Sequence, residues 1–466
     1  MKRIATLLLL AGLAAPAGAQ QNPALATYSV GTTTLTLSAL STGLDTPWEI
    51  LWGPDGFLWM TERGGRISRV NATTGQVLPL LTVADVTETG ESGLLGMALH
   101  PDFSANPYVY VVYNYTEGGA LKEKLVRFTY SATAGTLASP LTLLGNLPAT
   151  TTHSGSRLLI LPDQTLLMTT GDAQLQPEAQ NIGSLNGKIL RLNLDGTIPA
   201  NNPTPGSAVY TLGHRNPQGL VRALSGRLYS SEHGPNNDDE VNLIEPGRNY
   251  GWPNVEGFCN LPAEQTFCSA NNVREPLVAY TPTLAVAGIA AYQNPAIPQW
   301  SNSLLMVSLK AGALTHLQLN TAGDQVTSQS NIWAGTYGRL RAICVSPQGR
   351  IYIGTSNRDG RTTPGPTDDR ILVLENRAYT PNSVRNGRAN ALVVWPNPAS
   401  GSFSIKLPEP ATSPLEVRDA LGRTVQTVAL TGRREGNVDI RQLQAGLYTV
   451  HTQLSGTRFT QRLLVQ

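Results

Sequence analysis

A hairpin pattern recurs along this chain and restricts its fold more than any other feature. An apolar run meets a tight turn, a second apolar or aromatic run follows, and a third strand-like segment comes after. Ile50-Leu51-Trp52-Gly53-Pro54-Asp55-Gly56-Phe57-Leu58-Trp59-Met60 is one copy, with residues 67–70 behind it. Residues 158–168, turned at Pro162-Asp163 and backed by 189–192, form another. Residues 345–353, turned at Pro347-Gln348-Gly349 and backed by 371–374, form a third, and fainter copies start near Leu99, Leu220 and Leu304. Pro at the first turn position with Gly or Asp after it suits a short hairpin connection. Six units of unequal length predict an all-β chain built on a six-bladed β-propeller. A pair of β-sandwiches would use similar strands but explains the repetition less well. Irregular insertions such as residues 256–280 would then be loops on one face, where function usually sits.

The 466 residues exceed what a single core usually supports. After Glu375 the character changes: residues 376–390 are polar and read as a linker, and residues 391–466 read as a small β-sandwich opened by Val393-Val394-Trp395-Pro396-Asn397-Pro398. At the other end, Met1-Lys2-Arg3 precedes an apolar stretch too short to span a bilayer, and Ala17-Gly18-Ala19 offers a cleavage site. Residues 1–19 therefore read as a secretory signal, leaving residues 20–375 for the propeller. No later segment has a membrane-spanning apolar run. Net charge is only +2, which gives no reason to expect nucleic acid or anionic lipid as a partner. Cys259 and Cys268 bracket a short polar loop; in an exported protein a local disulfide is expected, with two free thiols the alternative. Cys344, inside an apolar run, reads as a small core residue.

Four groups of residues carry chemical promise. His153 sits in a polar, glycine-containing loop and is free to act as a general base near neutral pH, although a loop His taken alone is more often a surface residue. Arg215 could steady a developing oxyanion, and Pro217 holds Asn216 extended beside it; a structural Arg tying two blades together is the plainer reading. Gly234-Pro235 opens an acidic loop, and hard cations such as calcium take carbonyl and carboxylate oxygens together. Asp238, Asp239 and Glu240 are near enough to serve one ion or two neighbouring ions, while the plain alternative is a solvated turn. Finally, Arg339 and Arg341 flank Leu340 and so share one face of a strand. Like charges on one face repel unless an anion lies between them. With Lys310 they would converge, if blades meet at a centre, on a polyanionic ligand.

In their order and local contexts these segments resemble the soluble quinoprotein glucose and aldose sugar dehydrogenases, which use pyrroloquinoline quinone (PQQ) and calcium. The likeness runs from about Gly43 to Leu374, through Gly93-Leu94-Leu95-Gly96, His100-Pro101-Asp102-Phe103, residues 187–196, residues 210–219 and residues 234–254. It implies that His153 takes the proton of a sugar's C1 hydroxyl and that Arg215 and Asn216 contact the cofactor. It implies that main-chain oxygens of Gly234 and Pro235 hold calcium, that Lys310, Arg339 and Arg341 meet the cofactor's carboxylates, and that Glu240 and Tyr250 serve a further calcium site. Glu91 stands where the glucose enzymes carry Gln near cofactor and sugar, and Thr152 where they carry Asp, so a broader aldose range is expected. The tail resembles the sorting domain of type IX secretion cargo, through Trp395-Pro396-Asn397-Pro398, Asp419-Ala420-Leu421-Gly422-Arg423 and Gly446-Leu447-Tyr448. This implies export to the cell surface or beyond, with the secretion machinery as a partner. The electron acceptor, the physiological sugar and the oligomeric state, a homodimer included, stay open. A calcium-dependent propeller lactonase and a non-catalytic binding propeller are the competing functions.

Overall fold

Each expected hairpin seeds an antiparallel sheet. The computed structural model describes residues 22–380, 392–407, 410–419, 422–454 and 457–466; the expected export signal and residues 381–390 of the expected linker lie outside them. Five sheets of four strands begin at Pro47–Trp52, Leu94–Leu99, Gly155–Ile160, Pro217–Arg222 and Val286–Tyr292, and are taken here as blades one to five. Blade six combines Leu340–Val345, Ile351–Thr355 and Ile371–Glu375 with Thr33–Ser41 and Ala24–Val30 from the other end of the chain. The first strands of successive blades touch in turn, and that of blade six returns to that of blade one, so the ring is closed.

The core is six apolar layers, each between two neighbouring blades. Ile50 and Leu58 of blade one meet Tyr352 and Ile371 of blade six. Leu167 and Ile189 of blade three meet Leu220 and Ile244 of blade four. Both faces of a blade are therefore covered, which explains apolar runs such as 158–161 in place of strict alternation. Cys344 is buried in the layer between blades six and one.

Three local readings change. The copy near Leu304 marks the second hairpin of blade five, Ser303–Ser308 with Leu314–Leu319, because a longer connection separates its first two strands. The insertion after Glu256 carries a helix, Pro262–Ala270, where a polar loop was expected. Pro262 occupies its first turn, and the Glu264 carboxylate accepts from the Asn260 and Leu261 amides at 3.2 and 3.0 Å. The Cys259–Cys268 disulfide forms, with an S–S distance of 2.00 Å, and ties this helix to the preceding turn. Finally, the polar stretch after Glu375 starts docked: Asn376 Nδ2 donates to the Ala296 carbonyl at 2.9 Å and Arg377 to that of Asn22 at 2.7 Å.

The chain divides into two compact units after Thr380. The second is a small sandwich with a core of its own that includes Phe403, Ile405, Leu415, Val417, Val450 and Leu463. Among the described residues its two sheets join through a parallel bridge, Ala399 with Val465.

One buried acid in the propeller has a pH signature. Glu123, in Ala120–Ser131, is held by the Ser156 hydroxyl at 2.9 Å. Burial pushes its carboxyl up to about 8, against the pull of the Ser156 hydrogen bond and the nearby Asn114 amide. The folded state then holds the proton more tightly than the unfolded chain. Stability is complete below the ordinary carboxylate range and declines as pH rises toward about 8. Glu123→Gln is expected to stabilise the protein at pH 8.5 by on the order of 2 kcal/mol, and by nothing measurable near pH 4. Denaturant melts at both pH values check this, and a difference independent of pH refutes it.

Candidate active site

In an antiparallel blade the start of the first strand and the end of the second lie at the same edge. Those two positions, taken blade by blade, supply nearly every side chain of the site. Glu91, His153, Arg215, Asn216 and Arg339 come just before first strands. Arg63, Asp172, His233, Lys310, Asp359 and Arg361 follow second strands.

His153 is fixed tightly. Its φ is 57°, and the exit of the second strand passes directly beneath it: a Cβ on Gly171 would stand 1.7 Å from the His153 carbonyl. Only glycine allows that approach. The imidazole Nδ1 lies 2.7 Å from Asp172 Oδ1. Asp172 is fully buried, and also accepts from the Gln174 amide at 2.8 Å and from Trp252 Nε1 at 2.8 Å. An ionised carboxylate only accepts, so the proton sits on Nδ1 and the lone pair on Nε2. This is the tautomer a general base needs. Thr152, beside it, receives a hydrogen bond from the Gln174 side chain.

Arg215 and Asn216 lie next to this pair. The Glu232 carboxylate accepts from both of their amides. The Arg215 guanidinium stands 5.3 Å from the Trp252 ring and donates to the His233 carbonyl at 3.3 Å. Burial lowers its pKa, against the charges of Asp172 and Glu232. Asn216 is fully buried; its Oδ1 accepts from the Gly155 amide at 3.0 Å and from Gln218 at 3.1 Å, while Nδ2 has no partner. Arg215 Nε is likewise buried and unpartnered. Buried donors without partners suit a ligand that brings acceptors.

A cavity of about 600 Å³ opens beside them. It is lined by Arg63, Lys310, Arg339, Arg341 and Arg361 and by two carboxylates, Glu91 and Asp359, a formal excess of three positive charges among the lining residues, of which Arg63 is also paired to Glu88 at 2.9 Å. Arg341 lies deepest: 5% exposed, it hydrogen-bonds Gln218 Oε1 at 3.1 Å and the Ser356 hydroxyl at 3.3 Å. Arg339 is paired to Asp359 at 2.6 Å, and Lys310 Nζ reaches the Thr283 hydroxyl at 3.3 Å. Lys310, Arg339 and Arg341 thus line one cavity, and Asp359 lines it with them. Burial pushes the Glu91 carboxyl up, yet the charges of His233, Arg341, Arg361 and His153 outweigh it and hold it below its usual range.

Gly234, Pro235, Glu240 and Tyr250, expected at two cation sites, border one small cavity together with Arg215, Glu232 and Asp238. Burial, then the charges of Glu232 and Asp238, push the Glu240 carboxyl up to about 8. The Tyr250 hydroxyl donates to the Leu243 carbonyl at 2.7 Å and accepts from the Glu245 amide at 2.9 Å. Among the described residues no three His, Cys, Asp or Glu side chains are grouped to hold a metal, so a cation here would rely on main-chain oxygens beside the carboxylates.

Residues 44–364 match the Glucose / Sorbosone dehydrogenase family. The chain belongs to that family. This family member is 33% identical over 398 residues to quinoprotein glucose dehydrogenase B of Acinetobacter calcoaceticus, covering 67% of this chain and 83% of the relative. It is 30% identical over 345 residues to aldose sugar dehydrogenase YliI of Escherichia coli, covering 70% and 91%. The PQQ-bound aldose sugar dehydrogenase of Streptomyces coelicolor superposes with a TM-score of 0.65 at 34% identity, over 73% of this chain and 98% of that one. Residues 393–466 match a secretion system C-terminal sorting domain, which places this sugar dehydrogenase relative on an export route to the cell surface or beyond. Asp172, Arg63, His233, Asp359 and Arg361 went unnoticed in the sequence. Each follows a second strand, and the blade register alone could have drawn attention to them.

Proposed function

We propose that the protein is an exported PQQ- and calcium-dependent aldose dehydrogenase that oxidises the C1 hydroxyl of a sugar to the lactone. The observation that carries this reading is one cavity with three excess positive charges beside a His–Asp pair whose Nε2 is free to accept a proton. A flat triacid would cancel that excess, and a hydrolase has no use for it. Arg341, Arg339 and Lys310 would hold the carboxylates. Arg215 Nε and Asn216 Nδ2, both buried and unpartnered, would donate to the cofactor's oxygens. Main-chain oxygens of Gly234 and Pro235 would hold calcium, with Glu240 and Tyr250 at the same cavity. When bound, the quinone supplies the two-electron acceptor for the hydride leaving C1. His153 Nε2 takes the C1 hydroxyl proton, and Asp172 stabilises the imidazolium through Nδ1. Trp252 holds Asp172 in place from the other side.

Titration of the apo-protein with PQQ and calcium, followed by absorbance and tryptophan fluorescence, is expected to saturate at one quinone per chain. Adding an aldose should then reduce an artificial acceptor. Absence of stoichiometric binding, or sugar turnover that is indifferent to the quinone, rules the proposal out.

A further inference from the structure

The ion pair between Glu91 and Arg361 lines the same cavity as Lys310, Arg339 and Arg341. Arg361 Nη2 lies 3.2 Å from Glu91 Oε1, and the partners come from different blades. The Arg361 side chain is 59% exposed and that of Glu91 30%, against 5% for Arg341, so the pair stands at the mouth while the arginine floor lies below. Its position is set from both ends. The Glu91 amide donates to the Thr151 carbonyl at 2.7 Å and the Ser92 hydroxyl to that of Thr150 at 2.8 Å, which locks the Glu91 loop to the loop carrying His153. The Arg361 amide donates to Asp359 at 3.0 Å, the same carboxylate that grips Arg339. A sugar presenting C1 to His153 therefore has Glu91 at its flank and Arg361 beyond.

We propose that Arg361 is a specificity-determining residue: paired with Glu91, it gives the sugar a charge-neutral wall that favours uncharged aldoses over acidic and amino sugars. This rests on the proposed dehydrogenase reading. With the floor cations matched by a triacid, the pair is the remaining source of charge where the sugar's outer hydroxyls lie. A carboxylate only accepts and a guanidinium only donates, so together they serve a polyol, whose hydroxyls do both. Removing one partner leaves the other's charge uncompensated in a partly dehydrated mouth, worth roughly five- to tenfold in selectivity.

The test uses the full chain with Glu91→Gln, Arg361→Gln and the double variant, each loaded with quinone and calcium. Loading is read separately by tryptophan fluorescence. The probes are D-galactose, D-galacturonate and D-galactosamine at about pH 6, where an amine is protonated. Arg361→Gln is expected to raise kcat/KM for galactosamine relative to galactose about fivefold or more. Glu91→Gln should do the same for galacturonate, and the double variant, neutral again, should return both ratios to near wild type. Ratios that stay within twofold of wild type, or move in the same direction in both single variants, overturn the inference if galactose is still oxidised. Loss of quinone binding in the wild type as well would instead remove the dehydrogenase reading, and this inference with it. Should Glu91→Gln fail to fold, the galactosamine ratio of Arg361→Gln decides alone.

Discussion

His153→Ala is expected to lower kcat by ~10²–10⁴ with the quinone affinity unchanged, because the imidazole is the proton acceptor and is not one of the cations of the cavity. Asp172→Asn is the sharper variant. The buried carboxylate lies 2.7 Å from Nδ1 through Oδ1, while Oδ2 accepts from the Trp252 indole; that donor keeps the Asn oxygen on its side and turns the amide nitrogen toward His153, at the cost of the Gln174 amide's hydrogen bond. An amide in that place can donate toward Nδ1, which moves the proton to Nε2 and blunts the base, with a loss of kcat of about 10² or more. Both effects belong to kcat at saturating quinone, measured by stopped-flow reduction of the acceptor, while the quinone dissociation constant holds. If His153→Ala keeps turnover within threefold of wild type, another group is the base. If instead the quinone no longer binds, His153 is part of the cofactor's seat.

The propeller was legible because turn chemistry is local. Pro54-Asp55-Gly56 and Pro347-Gln348-Gly349 announce their hairpins without any knowledge of the rest of the chain. The closure of blade six by Ala24–Val30 and Thr33–Ser41 was not legible, since it pairs residues more than 300 positions apart and leaves no local mark. The helix Pro262–Ala270 was overlooked although Pro262 and Glu264 carry a helix-start signature, because Asn260 and its polar neighbours read as a loop. In the site, the charge argument found Lys310, Arg339 and Arg341, since cations near an apolar strand need a reason to be there. It could not find Asp172 or Arg361, which look like ordinary turn residues. Only the blade register, which brings the end of every second strand to the same edge as the start of every first, distinguishes them.

Arg341→Met is expected to separate cofactor binding from stability and to move the two in opposite directions. Arg341 is buried, hydrogen-bonds only the neutral Gln218 and Ser356, and forms no ion pair among the described residues. Burial draws its guanidinium down to about 10, against the more distant charges of Asp359 and Glu91 and with the repulsion of Arg339 and Arg63. A buried cation that lacks a close counter-charge costs several kcal/mol, more than its two hydrogen bonds return at about 1–2 kcal/mol each. Methionine fills similar volume without that cost, so the melting temperature of the apo-protein should rise. The same change takes away the deepest partner of a triacid, where a desolvated charge pair is worth about 2–5 kcal/mol, so the quinone dissociation constant should increase by about 10²-fold or more. Calorimetry of the apo-protein and fluorescence titration with quinone read the two effects independently. A melting temperature that falls together with the affinity would make Arg341 a structural residue whose effect on the quinone is indirect; a rise with undiminished affinity would place the cofactor's carboxylates elsewhere.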